Sequence, residues 1–451
     1  MQQLIFILVA STAFGLFYKQ IMRLRRNILL GKDEEISGDS AERWKNVALI
    51  AFGQKKMFKN WIPAVFHLFI YVAFLFTQVE LIEVLIDGIF GVHRFFANKI
   101  GFLYPLIINT IEILSFLALV ATFVFLYRRN IMNIARFKKP ELEGWPTRDA
   151  NLILFFEILL VVAIFSMNGA DYLLQKIDPN HYPPVNVWLS SIFGPAFFGG
   201  MSEGTLHIIE RAGWWMHILM VFVFMNYLPI SKHLHVFLAF PNVYFSKLSQ
   251  KGQMENMPQI MNEVKSMLGL VEIAPSEGEQ NFDFGANDVT GLSWKNVMDA
   301  YSCTECGRCT AACPANLTGK KLSPRKVMMD VRDRAEEIGM KIDSADNQYI
   351  REDARGEGVV LNKDNFDDGK SLYDFITTEE LHACTTCNAC VEACPITINP
   401  LDIILKMRRH EILTLSAGPS EWIPMFTSLE NNGCVWQMPV EREQWIADAN
   451  N

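Results

Sequence analysis

Cysteine is nearly absent from this 451-residue chain outside two short runs: eight of the nine lie there and only Cys434 stands apart. Eight thiols at short spacing in a long chain belong to a reducing compartment, which argues against a disulfide framework. Basic excess is missing from the second half, where residues 241–451 carry 20 Lys/Arg against 32 Asp/Glu. By charge, that half is no nucleic-acid binder. The first half, with 21 Lys/Arg against 17 Asp/Glu, has few charges over five apolar stretches, about residues 2–18, 61–86, 101–127, 150–175 and 213–240. Each is long enough to cross a bilayer as a helix. The mean hydropathy of +0.15 therefore averages two unlike halves. The first stretch also lacks a positive leading region and has Lys19, Arg23, Arg25 and Arg26 just behind it, the pattern of an uncleaved anchor.

What the chain does contain is the spacing C-x2-C-x2-C-x3-C-P, twice: Cys303, Cys306, Cys309, Cys313 with Pro314, and Cys384, Cys387, Cys390, Cys394 with Pro395. This is the bacterial ferredoxin run, in which the first three thiolates hold one [4Fe-4S] cluster and the fourth ligates the other. The expected ligand sets are Cys303, Cys306, Cys309 and Cys394 for one cluster, and Cys384, Cys387, Cys390 and Cys313 for the second. A tetrahedral zinc site would leave the third close cysteine and the proline without use. The duplication extends past the ligands. Ser323-Pro324 and Asn399-Pro400 each open a helix with a cap and a proline at the first position.

Basic residues set an expected orientation. Segments 19–60 and 128–149 hold ten and six Lys/Arg, whereas 87–100 and 176–212 hold two each. The basic segments lie inside by the positive-inside rule. The amino terminus is then outside, and five crossings deliver the cysteine runs to the cytoplasm of a bacterial inner membrane.

Histidines in the apolar half need a reason. His67 lies near the cytoplasmic start of the second stretch, and the fifth contains His217, His233 and His235. On one continuous helix His217 and His235, 18 residues and five turns apart, would face the same way at about 27 Å separation. His235 then shares its level with His67, and the pair suits bis-histidine ligation of a b-type haem. His217 is a candidate for a second haem, and His233, about 200° round from His235, is expected to point elsewhere. Glu112 and Glu157 are candidates for quinone or proton chemistry, with Gln78, Glu80 and Glu83 nearer the outer side.

These features resemble the haem-carrying membrane subunits of respiratory nitrate reductases (gamma type) and of heterodisulfide reductases (E type), which have five helices, an outside amino terminus and a last helix with histidines 18 apart. In the two-haem pattern a histidine follows ten residues after the first; here that position is Thr77. The cysteine half resembles heterodisulfide reductase C-type subunits. The fusion is similar to the amino-terminal part of membrane oxidoreductases working between electron-transfer flavoprotein and menaquinone. In those relatives a CCG domain follows; no C-C-G occurs here, and the segment Glu430–Trp436 resembles the junction before it. The resemblance thus implies a separate CCG-domain iron–sulfur subunit or electron-transfer flavoprotein as partner.

The expected architecture is an all-α membrane domain of five transmembrane helices (1–240), a linker (241–290), and a mainly α, cytoplasmic ferredoxin-like 2[4Fe-4S] domain (291–415) with an insertion at about 340–372. A docking tail (416–451) carrying Trp422, Trp436 and Trp445 completes it. The expected function is electron transfer between a cytoplasmic redox partner and membrane (mena)quinone through two [4Fe-4S] clusters and haem b, as a subunit of a quinone-linked oxidoreductase. The competing class is a membrane redox sensor or assembly factor.

Overall fold

Five long helices cross the apolar half of the computed structural model, which describes residues 1–97, 99–250, 252–271, 284–436 and 443–449. They are α1 (Gln2–Ile28), α2 (Trp61–Phe90), α3 (Leu103–Asn130), α4 (Trp145–Ile177) and α5 (Glu203–Tyr227). All five are apolar and long enough to span a membrane. Their outer faces carry Leu4, Leu8, Phe14, Phe123, Phe155 and Val223, all exposed. Apolar side chains in such numbers on an outer surface are stable only against lipid. Helix contacts inside the bundle rely on small residues. A Cβ on Gly213 of α5 would come within 2.9 Å of the Met167 nitrogen of α4, so the two backbones cross at a distance only glycine permits.

One expectation is corrected here. The fifth span does not run unbroken through 213–240: it starts at Glu203, ends at Tyr227, and a new helix, α6 (His235–Tyr244), begins after two 3₁₀ turns. Pro229 lacks the N–H that would continue the ladder, and Ser231 turns to an extended conformation (φ −119°, ψ 152°) and caps the next turn through His233 N. Hydropathy could not show the break, because Leu228, Pro229 and Ile230 prolong the apolar run. His217 and His235 therefore share no helix, and His217 lies in the middle of α5 instead of near one end.

The second half is helical as well, and its only β pairings among the described residues are two isolated bridges. Helices α7 (Trp294–Ser302), α8 (Pro324–Ser344) and α9 (Pro400–Arg409) pack around the two cysteine runs. As their sequences suggest, Ser323 and Asn399 cap α8 and α9 by accepting from Lys326 N and Asp402 N, with Pro324 and Pro400 at the first positions. In the expected insertion, α8 continues to Ser344, and the remainder folds back through a single antiparallel bridge, Ile350 to Phe366. Parts of the expected linker and tail (272–283, 437–442 and 450–451) lie outside the described residues.

The two halves share a core. Leu24 and Leu30, at and just beyond the end of α1, together with Leu234, join Val297, Tyr301, Val331 and Ile338 in one buried cluster. Asn27 donates to the Tyr301 hydroxyl (3.0 Å), and Arg26 pairs with Asp343 (2.5 Å). Lys232, which follows the break after α5, pairs with Glu305 of the first cysteine loop, and Arg332 holds the other Glu305 oxygen at 2.8 Å. Buried Glu305 thus ties the loop to the membrane half.

Candidate redox centre

The two cysteine loops share a backbone as well as a spacing. Glu305 (φ 55°) and Gly307 (φ 72°) in the first adopt the left-handed conformation that Thr386 (φ 56°) and Asn388 (φ 60°) adopt in the second. This curls the chain around its thiols and turns N–H groups inward. Glu305 N points at Cys303 Sγ (3.4 Å) and Thr386 N at Cys384 Sγ (3.5 Å), equivalent positions of the repeat. At Gly307 an added Cβ would stand 2.5 Å from Arg325 Nη1, so a larger residue there would have to displace a guanidinium that donates to the Arg136 carbonyl.

The cysteines gather in two crossed groups. Cys303, Cys306 and Cys309 line one cavity together with Cys394 from the other run, and Cys384, Cys387 and Cys390 line a second with Cys313. Among the described residues, no three His, Cys, Asp or Glu side chains converge tightly enough for one metal ion. The thiols are spread wider than a single zinc sphere with its sulfur atoms about 2.3 Å from the metal. Burial pushes the Cys303 and Cys390 thiols up to about 12 and Cys394 to about 11. Thiolates in such places need the positive charge of a metal centre, and loading one releases protons. Cys434 lines neither cavity.

The first cavity, about 390 Å³, continues from the cysteines into the membrane half, where His67, His233 and His235 form its wall with Tyr71 and Glu157. The rings of His67 and His235 are 6.3 Å apart between centroids. Two imidazoles bound through Nε2 to opposite sides of one metal at about 2.0 Å would have centroids about 6 Å apart. The Nδ1 atoms are engaged elsewhere: His67 donates to Gln54 Oε1 (3.2 Å) and His235 to the Lys232 carbonyl (3.2 Å). That arrangement fixes the tautomer that leaves both Nε2 lone pairs free. Gln54 is itself held in a left-handed conformation (φ 50°) and is buried, backbone strain at the point that orients His67.

His233 departs from expectation. Since α5 ends before it, the 200° offset from His235 does not apply, and its ring packs 5.4 Å from His235 and 5.0 Å from Phe224 on the cavity wall. His217 is buried outside this cavity with Nδ1 lacking an acceptor, and no second imidazole lies against it among the described residues. Thr77 and Gln78 instead donate to the Phe74 carbonyl of their own helix (3.1 and 2.9 Å).

The carboxyl candidates separate. Glu112 accepts from Leu189 N (3.0 Å), Ser190 N (3.2 Å) and the Ser190 hydroxyl, anchoring the start of the short helix Ser190–Phe198. Glu83 is similarly committed, to the Tyr104 hydroxyl and Phe96 N (both 2.8 Å), beside the Arg94–Asp171 ion pair (2.6 Å). Glu80 has an oxygen without a donor and lines neither cavity. Glu157 is the one carboxyl on the wall of the first cavity and, among the described residues, makes no hydrogen bond or ion pair. Sequence reasoning missed Gln54, Arg136 and Arg308, which also line this cavity. Gln54 and Arg136 sit in loops with no motif, whereas Arg308 was readable inside the first cysteine run.

Comparison with known proteins agrees with the cysteine geometry. A family model described as a 4Fe-4S dicluster domain matches residues 302–398, and a second with the same description matches 255–318. Iron–sulfur clusters are the cofactor of this region. Over 462 residues the chain is 29% identical to "Probable iron-sulfur-binding oxidoreductase FadF" of Bacillus subtilis (strain 168), covering 99% of this chain and 61% of that protein. It is 28% identical over 419 residues to "EtfAB:quinone oxidoreductase" of Syntrophomonas wolfei subsp. wolfei, covering 90% and 54%. A segment of 173 residues is 32% identical to "Probable membrane-anchored ferredoxin" of Chromohalobacter salexigens, covering 36% and 24%. The chain thus spans little more than half the length of the first two. No solved structure matches it.

Proposed function

We propose that this protein is a membrane-anchored electron-transfer subunit that passes electrons between a redox partner at its cysteine end and membrane quinone, most simply menaquinone. The observation that carries this is the single cavity joining Cys303, Cys306, Cys309 and Cys394 to His67 and His235. The cysteines would hold one [4Fe-4S] cluster there and Cys384, Cys387, Cys390 and Cys313 a second, and His67 and His235 would hold a b-type haem. When bound, these groups supply one-electron transfer at successive points from the exposed domain to the membrane.

The chain's own residues set the conditions. Gln54 and the Lys232 carbonyl orient the two imidazoles, and α2, α4 and α6 wall the site with apolar side chains that keep water out. Glu157, unpartnered on that wall, is the carboxyl best placed to exchange a proton with quinone chemistry. Glu112 is spent on its helix start and is not proposed for this role. Cys387 is exposed and Thr385 beside it also, so the second site is the one open to a partner. The helix α10 (Trp422–Asn432), with exposed Ile423, Phe426 and Leu429, lies against it through the Trp422–His382 ring contact (5.0 Å). A separate iron–sulfur subunit or an electron-transfer flavoprotein fits that face. The basic loops suggest a cytoplasmic position for the cysteine end and an outside amino terminus.

The test is reduction of the purified protein with a menaquinol analogue, followed at the haem absorbance and by electron paramagnetic resonance of the clusters. Quinol-dependent reduction at both is expected; a protein that carries no haem or is inert to quinol overturns the proposal.

A further inference from the structure

Three guanidinium groups face the cavity shared by the cysteines and histidines: Arg136, Arg308 and Arg325. Arg325 is committed, with Nη2 on Glu141 (2.8 Å) and Nη1 on the Arg136 carbonyl (2.8 Å). The other two are not. Arg308 is 8% exposed and, among the described residues, donates only to the Met57 carbonyl, at 3.5 Å. Arg136 has a buried Nε without an acceptor, stacks its guanidinium 4.9 Å from the Phe137 ring centre, and pairs with no carboxylate among the described residues. Two neighbouring cations that repel one another are thus held at a cavity wall, with hydrogen-bond donors unspent. A buried charge in that position requires an anion.

The internal repeat serves as a control for which anion it is. The second cysteine loop has the same backbone, yet the position equivalent to Arg308 is Ala389, and among the described residues no charged side chain lines its cavity. The guanidinium beside it, Arg408, lies off the cavity wall and donates to the Leu381 (2.9 Å) and Cys384 (2.6 Å) carbonyls, so a cluster in this loop does not by itself call for an arginine on the wall with donors unspent. What distinguishes the first cavity is the histidine pair, and Arg308 lies close enough to His67 for their charges to interact. Arginine's planar fork matches a carboxylate, where paired N–H donors can meet both oxygens.

We propose that Arg136 and Arg308 form a carboxylate-binding site that anchors the propionate groups of the haem held by His67 and His235. The site rests on the haem assignment above and extends it: the imidazoles fix the metal and the arginines fix the rim of the macrocycle, at the end of the cavity nearest the cysteines.

The test compares full-length wild type with Arg136→Gln, Arg308→Gln and Arg136→Lys, purified from membranes in detergent. Haem release to excess apomyoglobin should be about tenfold faster in each glutamine variant, the loss expected when a charged hydrogen bond is removed. Arg136→Lys, which keeps the charge without the fork, should fall between. Iron and acid-labile sulfide should stay at the wild-type level in all three. A second probe is haem dimethyl ester supplied to haem-depleted cells: wild type should retain it at least about tenfold less well than haem, Arg136→Gln should discriminate less, and Arg136→Gln combined with Arg308→Gln should no longer discriminate. Unchanged haem release with lost iron or altered cluster resonance would assign the arginines to the cluster and overturn the site. Unchanged release with unchanged iron would overturn it equally. A wild type with full non-haem iron but no haem would remove the haem assignment itself, an outcome distinct from haem-loaded wild type and variants that behave alike.

Discussion

The two cysteine loops are near copies in spacing and backbone, yet they sit in opposite surroundings. The first is built into the junction with the membrane half: its left-handed Glu305 is 5% exposed and bridges Lys232 and Arg332, and its cavity runs on to three histidines. The second has Thr386 at the equivalent position, an exposed Cys387, and a small cavity of about 20 Å³ walled by apolar side chains and its own loop. Duplication thus supplies a ligand cradle, and neighbouring elements decide whether that cradle faces the apolar half or the outer surface. A cluster's potential depends on local charge, hydrogen bonds and exposure, so equal ligands in these two settings should differ in potential.

The comparison breaks most visibly at the ligands. Cys306→Ser and Cys387→Ser should each lose about half of the bound iron and remove different cluster resonances, as expected for one thiolate in each four-cysteine set. Cys394→Ser should resemble the first and Cys313→Ser the second. If Cys313→Ser instead reproduces Cys306→Ser, the crossed pairing is wrong.

The membrane extension of the first site gives the next largest effect. His67→Ala or His235→Ala should abolish a b-type haem spectrum while leaving non-haem iron and acid-labile sulfide unchanged, whereas His217→Ala should preserve the spectrum. An unaltered spectrum in His67→Ala would remove the pairing.

Glu305 and Thr386 sharpen the contrast in stability. Glu305→Gln removes the carboxylate that buried Lys232 shares with Arg332, leaving Lys232 only the longer pair with Asp149 (3.9 Å), and should destabilise the protein by about 3 kcal/mol, measured by denaturant in detergent. Thr386→Ala removes no ion pair and should stay within about 0.5 kcal/mol. Equal losses would mean that the two loops are supported alike.

The smallest effect is pH-dependent and concerns equivalent helix starts, Lys326 of α8 and Asp402 of α9. Burial acts to raise the Asp402 carboxyl, but Lys406 and Lys247 overcome it and hold it at about 2. A depressed carboxylate stabilises the fold above its unfolded value near 4, and that contribution is lost as pH falls towards 2. Asp402→Asn should therefore lower the melting temperature at pH 6, by an amount corresponding to about 2 kcal/mol, with the gap to wild type closing between pH 4 and 2. A gap that persists at pH 2 would show that packing, not charge, is what Asp402 contributes.

Much of this molecule was legible residue by residue. The cysteine runs, the proline-led caps at Ser323 and Asn399, and four of the five spans follow from local rules that the surroundings do not override. The fifth span misled because a helical wheel assigns phase only along an unbroken ladder. Pro229 and Ser231 break it inside an apolar run. His235 nevertheless meets His67, brought there by the turn after α5 and not by the periodicity that predicted it, and the same turn brings His233 to the wall.

By itself, the sequence determined chemistry that depends on neighbours in the chain: thiolate spacing, helix-forming apolar runs, caps, and the charge contrast between halves. Only the tertiary structure decided that Glu112 serves a helix start while Glu157 faces a cavity, and that Gln54, Arg136 and Arg308 line the cavity the histidines share with the first cysteine run. Those outcomes depend on contacts between residues tens to hundreds of positions apart. They are set by how helices pack and where loops return, which no local pattern encodes.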